Sequence, residues 1–463
     1  MILKPLETKE LPKPLPFSKL VGPSFIILGL GLGTGELILW PNLISKFGMG
    51  IIWGAILGIT FQFFMNMEIE RYALARGESV FIGFARKLKR LPIWFILSTF
   101  IPWIWPGTAS ASATIIGNLF GLQNVHVLSI VLLILVGLIL SFGSTLYKTV
   151  EHFQKWVTIF GVSFLVFLTF YLAKAEHWAA LAKGSIGIGE NYWFLPVGIP
   201  IASFLGALAY AGAGGNLNLA QSSYIREKGY GMGKYTGKIK GLLHEKSNED
   251  TSITGSKFEI TKESIKTFKE WWRTINKEHA LIFWLTGTIT ILTLGLLAFT
   301  TIYGQVGNKQ DIEFLIIESS KIGQMSLPII STIFMIVVAL TLFGTQLGVF
   351  DATSRIISEN VILTSNKLSE KNIGNVYYLV LWAQILAGVI ILSLDFRQPL
   401  QLIVISAVLN AFTMFVHVGL TLWLNLSSLE KEIRPSFFRT LVMTLAFCFY
   451  GFFSIYTIIN ELF

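Results

Sequence analysis

Eleven apolar runs, each long enough to cross a bilayer, constrain this chain more than any other feature of it. They fall at about 21–46, 49–70, 92–120, 126–147, 156–174 and 193–224, then, beyond a long polar stretch, at about 279–302, 325–350, 375–394, 400–426 and 436–460. A spanning helix takes roughly 20 apolar residues. Lipid offers no partner to a bare backbone group, so each run has to close its hydrogen bonds within itself. Of 463 residues, 53% are hydrophobic and 14% charged, which excludes a soluble domain of this length. The expected fold class is an all-α polytopic membrane protein.

Charge sets the orientation. With the N-terminus inside, the inward segments hold 30 lysines and arginines and the outward ones hold 6. The positive-inside rule then puts the N-terminus in the cytoplasm of a cell (plasma) membrane protein and, after an odd number of spans, the C-terminus outside. The same asymmetry accounts for the net charge of +9 without a nucleic acid partner. Cys448 is the only cysteine and the six histidines are scattered, so neither a disulfide framework nor a metal-ligand spacing is present. The first 20 residues carry prolines and lysines but no apolar core, so the first span is expected to direct insertion itself. The sizeable polar piece is 225–278. Within it Gly229–Gly233 reads as a flexible exit from the membrane, 247–255 as a polar loop, and 258–277 as an amphipathic helix lying on the inner membrane surface.

Span one is interrupted at its centre by Gly33-Thr34-Gly35-Glu36. A carboxylate at that depth costs roughly 2.5 kcal/mol or more, so it needs a local reason. Flanking glycines let the helix unwind around a solute or ion, whereas Gly29 and Gly31 also suit simple close packing. Span six breaks the same way, at Gly212-Ala213-Gly214-Gly215, followed by Asn216, Asn218 and Gln221. Two broken spans, five apart, are the pattern of inverted repeats with a binding site at mid-depth. The repeats would be 21–174 and 193–394, the second carrying the loop 225–278, with 1–20 as a cytoplasmic N-terminal segment and the remaining spans in 400–463.

These residues resemble the NRAMP (natural resistance-associated macrophage protein) family of proton-coupled divalent-metal transporters. Gly22-Pro23 opens span one as in that family, whose Asp-Pro-Gly-Asn motif falls in register on Gly33-Thr34-Gly35-Glu36. Its Met-Pro-His-Asn-Leu motif falls on Ala213-Gly214-Gly215-Asn216-Leu217, and Tyr147-Lys148-Thr149-Val150-Glu151 is similar to its Arg-Lys-Leu-Glu. The resemblance implies a leucine-transporter-type (APC) fold: two inverted five-helix repeats plus an eleventh span, broken helices one and six, and alternating access about them. The departures bear on substrate. Gly33 stands where the family has its metal-binding Asp, Glu36 where it has Asn, Ala213 where it has Met, and Gly215 where it has His. Loss of the thioether removes selectivity for soft transition metals.

What remains is a glycine-floored pocket with amides and nearby aromatics, suited to a neutral hydroxylated solute. In span three, Trp103 and Trp105 read either as plates for a sugar ring or as an interfacial aromatic belt. Gln346 and Asn410 read as pocket residues or as helix-to-helix hydrogen bonds. Glu68, Glu70 and Arg71 read as a solvated helix end, with a gating network the other reading, and Asp351 pairs with Arg355 one turn away. No nucleophile–base grouping and no phosphate loop occurs, so no catalytic residue and no cofactor is expected.

The expected function is a secondary active transporter, a symporter taking up a small polar organic solute such as a hexose. Its substrate-binding residues would be Gly33, Thr34, Gly35, Glu36, Gly212, Ala213, Gly214, Gly215, Asn216, Asn218, Gln221, Gln346, Trp103 and Asn410. Glu36 is the proton-coupling candidate, with sodium held by freed carbonyls as the alternative cation. The expected partners are solute, coupling cation and lipid bilayer, with the protein a monomer. Two other readings stand: a magnesium or manganese transporter, and a membrane sensor that does not transport.

Overall fold

The structure is a computed structural model and describes residues 3–142, 146–237, 253–305, 311–394 and 398–462. Among them nine helices are long and apolar enough to cross a membrane, including Pro23–Phe47, Met49–Arg76, Lys262–Ile302, Pro328–Thr364 and Pro399–Ser428. Spans three and six are each split into two shorter helices, Leu91–Trp103 with Gly107–Phe120 and Ile201–Ala209 with Leu217–Lys228. Each of the eleven apolar runs thus holds at least one helix among the described residues.

Span one lies at the centre of the bundle, and its residues are almost all buried. It differs from the unwound segment that its glycines suggest. The helix continues through the interruption but widens to π geometry over Leu32–Leu39. The cause is an inserted side chain. Thr345 Oγ1, from span eight, accepts from Gly33 N–H at 3.1 Å and donates to Gly29 C=O at 2.8 Å, the two groups an α-helical bond would have joined. Insertion into the ladder spreads a helix in this way. Glycine is needed at 33 because a Cβ would lie 2.5 Å from that hydroxyl oxygen.

Span six is broken outright. Tyr210–Asn216 leaves the helical path, with Gly214 and Gly215 at φ +74° and +53°. The two interrupted helices touch backbone to backbone: a Cβ on Gly31 would lie 2.4 Å from Gly212 C=O, and one on Gly35 only 1.6 Å from Tyr210 C=O. Close packing therefore explains these glycines as fully as chain freedom does. Span three breaks at Ile104–Pro106, a feature the continuous apolar run 92–120 did not announce.

The amphipathic helix forms, as Lys262–His279, and protein covers its apolar stripe. The helix runs on into span seven through π geometry at Ala280–Leu285, and its apolar residues Phe268, Trp271 and Ile275 are buried inside the protein. Trp271 Nε1 donates to Pro12 C=O at 2.7 Å, and Glu7–Thr8 pairs in parallel with Ser256–Lys257, so the N-terminal segment is laced to this piece. Most of the polar loop read at 247–255 lies outside the described residues.

The contact between spans one and six yields a direct test. Gly35→Ala pushes a methyl group into a backbone carbonyl that cannot swing aside, at the upper end of overpacking costs, about 3 kcal/mol. The expected result is a markedly lower melting temperature in detergent, read by size-exclusion fluorescence after heating.

Candidate functional site

The break in span six frees backbone groups at mid-depth, and one side chain of span two takes them up. Gln62 Nε2 donates to Ala209 C=O at 2.9 Å, and its Oε1 accepts from Gly214 N–H at 3.2 Å. Beside the break, Tyr210 anchors a chain of hydroxyls. Asn410 Nδ2 donates to Tyr210 OH (2.9 Å), Tyr210 OH to Ser406 Oγ (2.6 Å), and Ser406 to Pro102 C=O (2.6 Å), next to the break in span three. Trp103 stacks on Tyr210 with ring centroids 5.3 Å apart and planes 16° from parallel. At 4% exposure Trp103 belongs to the interior and not to an interfacial belt.

These groups enclose a small cavity between spans one, three, six, eight and ten. Thr34, Trp103, Trp105, Thr108, Tyr210, Gln346 and Ser406 line it, with Gly107, Val349 and Ile403. No charged side chain is among them. Its volume is about 10 Å³, room for one water. Gln346 Oε1 accepts from Thr108 Oγ1 at 2.5 Å, which fixes the amide on the cavity wall.

The other sequence-derived residues are distributed around this centre. Gly35 meets the Tyr210 carbonyl and Gly212 meets Gly31, Gly33 packs on Thr345 and Gly214 on the Tyr210 ring, Ala213 is buried, and Asn410 Oδ1 occupies the space a Cβ on Gly215 would take. Asn216 turns toward span three, donating to Ser98 Oγ (2.8 Å) and Thr99 Oγ1 (3.0 Å). Asn218 is buried and neither of its side-chain polar atoms has a partner among the described residues. Gln221 donates to Glu70 at 2.7 Å, toward the lysine- and arginine-rich end of the bundle, which we call the basic end. Glu36 points away from the cavity. Its carboxylate faces span seven, with Oε1 3.6 Å from where a Cβ on Gly287 would sit, and both oxygens are buried without a partner among the described residues.

The basic end is closed by buried ion pairs. Glu68 pairs with Arg71 (2.7 Å) and Arg439 (3.4 Å), and Glu359 with Arg226 (2.9 Å). Asp351 pairs with Arg355 at 2.9 Å, which Glu227 also holds. The reading of Glu68, Glu70 and Arg71 as a solvated helix end is thus corrected, since all three are buried. Arg71 also lies over the ring of Trp272 at 3.8 Å, which ties span two to the helix Lys262–His279. Among the described residues no three of His, Cys, Asp and Glu gather as a metal-holding group. Sequence reasoning missed Gln62, Tyr210, Thr108 and Ser406. A lone amide in an apolar span, and a tyrosine just ahead of the glycines, were the available signals for the first two.

No family model matches the chain, and neither does any curated protein sequence. Solved structures do match. A manganese transporter of Eremococcus coleocola, in complex with an aromatic bis-isothiourea compound, aligns with a TM-score of 0.70 at 14% identity, over 98% of this chain and 89% of that one. Mhp1, a nucleobase-cation-symport-1 family transporter in a closed conformation with bromovinylhydantoin bound, aligns with a TM-score of 0.55 at 11% identity, over 97% and 95%. At such identities the likeness shows the fold, which is the leucine-transporter type.

Gln62 is the support whose loss isolates the break. Gln62→Met keeps the length but leaves Ala209 C=O and Gly214 N–H unpaired in an apolar surround, about 1–3 kcal/mol for each. Thermal unfolding of this variant in detergent should show a loss of that size, while Gln398→Met, at the head of span ten, leaves the transition in place.

Proposed function

We propose that the chain is a secondary active transporter that takes up a small neutral polar solute, such as a hexose, by alternating access. The observation that carries this reading is the cavity at the break of span six, walled by two indoles, a tyrosine, an amide and three hydroxyls, with no charge. Hydroxylated rings need adjacent donors and acceptors, and an aromatic face against which to lie. The broken helix supplies further backbone groups at the same depth. The present cavity is too small for a sugar, so loading requires spans one and six to part from spans three, eight and ten. The ion pairs at the basic end support a state closed on that side, and the charge distribution makes it the cytoplasmic side.

The structural likeness to a manganese transporter favours a divalent ion instead. The donor set speaks against it: Ala213 and Gly33 offer no ligand, and Glu36 faces the other side of span one. Purified protein should therefore be stabilised against heat by a neutral hexose from a sugar panel, since a ligand of the folded state raises its melting point. Trp103→Ala should weaken that stabilisation about tenfold in affinity, the equivalent of about 1.4 kcal/mol. A micromolar manganese site seen by calorimetry, and abolished by Glu36→Gln, would sink the organic-solute reading.

Coupling is assigned to Glu36, a buried carboxylate with no partner among the described residues, at the centre of span one. In liposomes, Glu36→Gln should keep solute exchange and lose accumulation driven by a pH gradient. Retained uphill accumulation would remove Glu36 from the coupling step.

A further inference from the structure

The seam between spans one, two and seven holds a second carboxylate station. Its upper end is Glu36 beside Gly287, against which Leu28 and Ile59 also pack, and Phe283 of span seven lies against Gly212. At its basic end Glu70 of span two and Glu278, just ahead of span seven, meet across His279 and Ser24. Ser24 Oγ lies 2.5 Å from Glu278 Oε2 and 2.8 Å from His279 Nδ1, and His279 Nδ1 lies 3.3 Å from Glu70 Oε1. All four side chains are buried. Glu70 Oε2, Glu278 Oε1 and His279 Nε2, with Gln221 Oε1 from span six, have no partner among the described residues.

The charges around the cluster do not cancel it. Glu68 and Arg71, on the same helix as Glu70, pair with each other, and Arg439 of span eleven faces Glu70 and His279 from a distance but pairs with Glu68. Lys155 of span five and Lys228 of span six face Glu278 from a distance but are bonded to Glu151. Two buried carboxylates without a paired cation cannot both stay ionised at close range, so a proton is shared between them and the imidazole. The geometry points to this cluster as a proton-binding station on the cytoplasmic route of the coupling ion, separate from the solute cavity. This rests on the transporter reading above.

The hydrogen-bond bookkeeping fits a relay. When Ser24 donates to Glu278, its oxygen accepts from His279 Nδ1–H. A proton arriving at His279 Nε2 releases the Nδ1 proton to Ser24, which passes its own to Glu278: one proton enters and one moves on. With Glu278 protonated, the same heavy atoms carry the reversed polarity. Phe283, stacked on His279 at 4.7 Å, lies on span seven one turn on from this station and one turn short of Gly287, beside Glu36.

The test uses the whole protein. Infrared difference spectra between acidic and alkaline buffer should show the carbonyl stretch of buried carboxylic acid, diminished in both Glu70→Gln and Glu278→Gln. These amides keep the shape of the site, and size-exclusion profiles report folding. In liposomes both variants, and Ser24→Ala, should keep exchange of the solute and lose accumulation driven by pH. If the acid signal is unchanged in both amide variants and vanishes only in Glu36→Gln, the station is overturned and Glu36 stands alone. Loss of the signal on adding sodium at constant pH overturns it in favour of a metal cation. The infrared measurement needs no solute, so its failure is distinct from a failure of the transport reading.

Discussion

A backbone group released inside a membrane has no water to turn to, and the centre of this protein is built around that fact. Both interruptions release such groups, and in each case a single side chain from a neighbouring helix absorbs them. Thr345 occupies the gap between Gly29 and Gly33, and Gln62 spans the gap between Ala209 and Gly214. Each residue acts as donor and acceptor at once, which is why a hydroxyl and an amide stand there. The glycines then let the two helices press together backbone to backbone. Spans two and eight are thereby fastened to the two interrupted helices at the level of the site.

Span one has two working faces. Thr34 faces the uncharged cavity, while Glu36, two residues on, faces the seam with spans two and seven. Widening to π geometry sets the angle between them. Solute and proton would then act on opposite sides of one helix. Coupling needs no direct contact between them, only that the helix shift as a body.

Much of this was legible in the chain. Apolar runs gave the spans, because lipid forces each into a helix, and Gly214 with Gly215 announced a true break since both adopt positive φ. Glu36 stood out as the lone carboxylate of its depth. Its direction did not, because a one-residue change in helical phase turns a side chain by roughly 100°, and the π insertion that sets the phase depends on Thr345, more than 300 positions away. The ion pairs of the basic end were opaque for the same reason. Glu68 and Arg71 look like an exposed helix end until Arg439 and Trp272 arrive from elsewhere. Likewise the apolar stripe of 262–279 does not say whether lipid or protein covers it.

The helix that begins in that stripe has a mechanical consequence. From Lys262 to Ile302 it is 41 residues long, or about 60 Å at 1.5 Å per residue, twice the roughly 30 Å of hydrocarbon it has to cross. Fifteen residues separate Gly287, beside Glu36, from Trp272, under Arg71. A tilt of about 10° with Gly287 as fulcrum therefore carries that indole about 4 Å sideways. Displaced that far sideways from 3.8 Å, the indole would stand about 5.5 Å from the guanidinium, near the roughly 6 Å limit of a cation–π contact. A helix of this length would act as a lever arm, turning a slight sway in the membrane into a stroke that strains the latch at its tip.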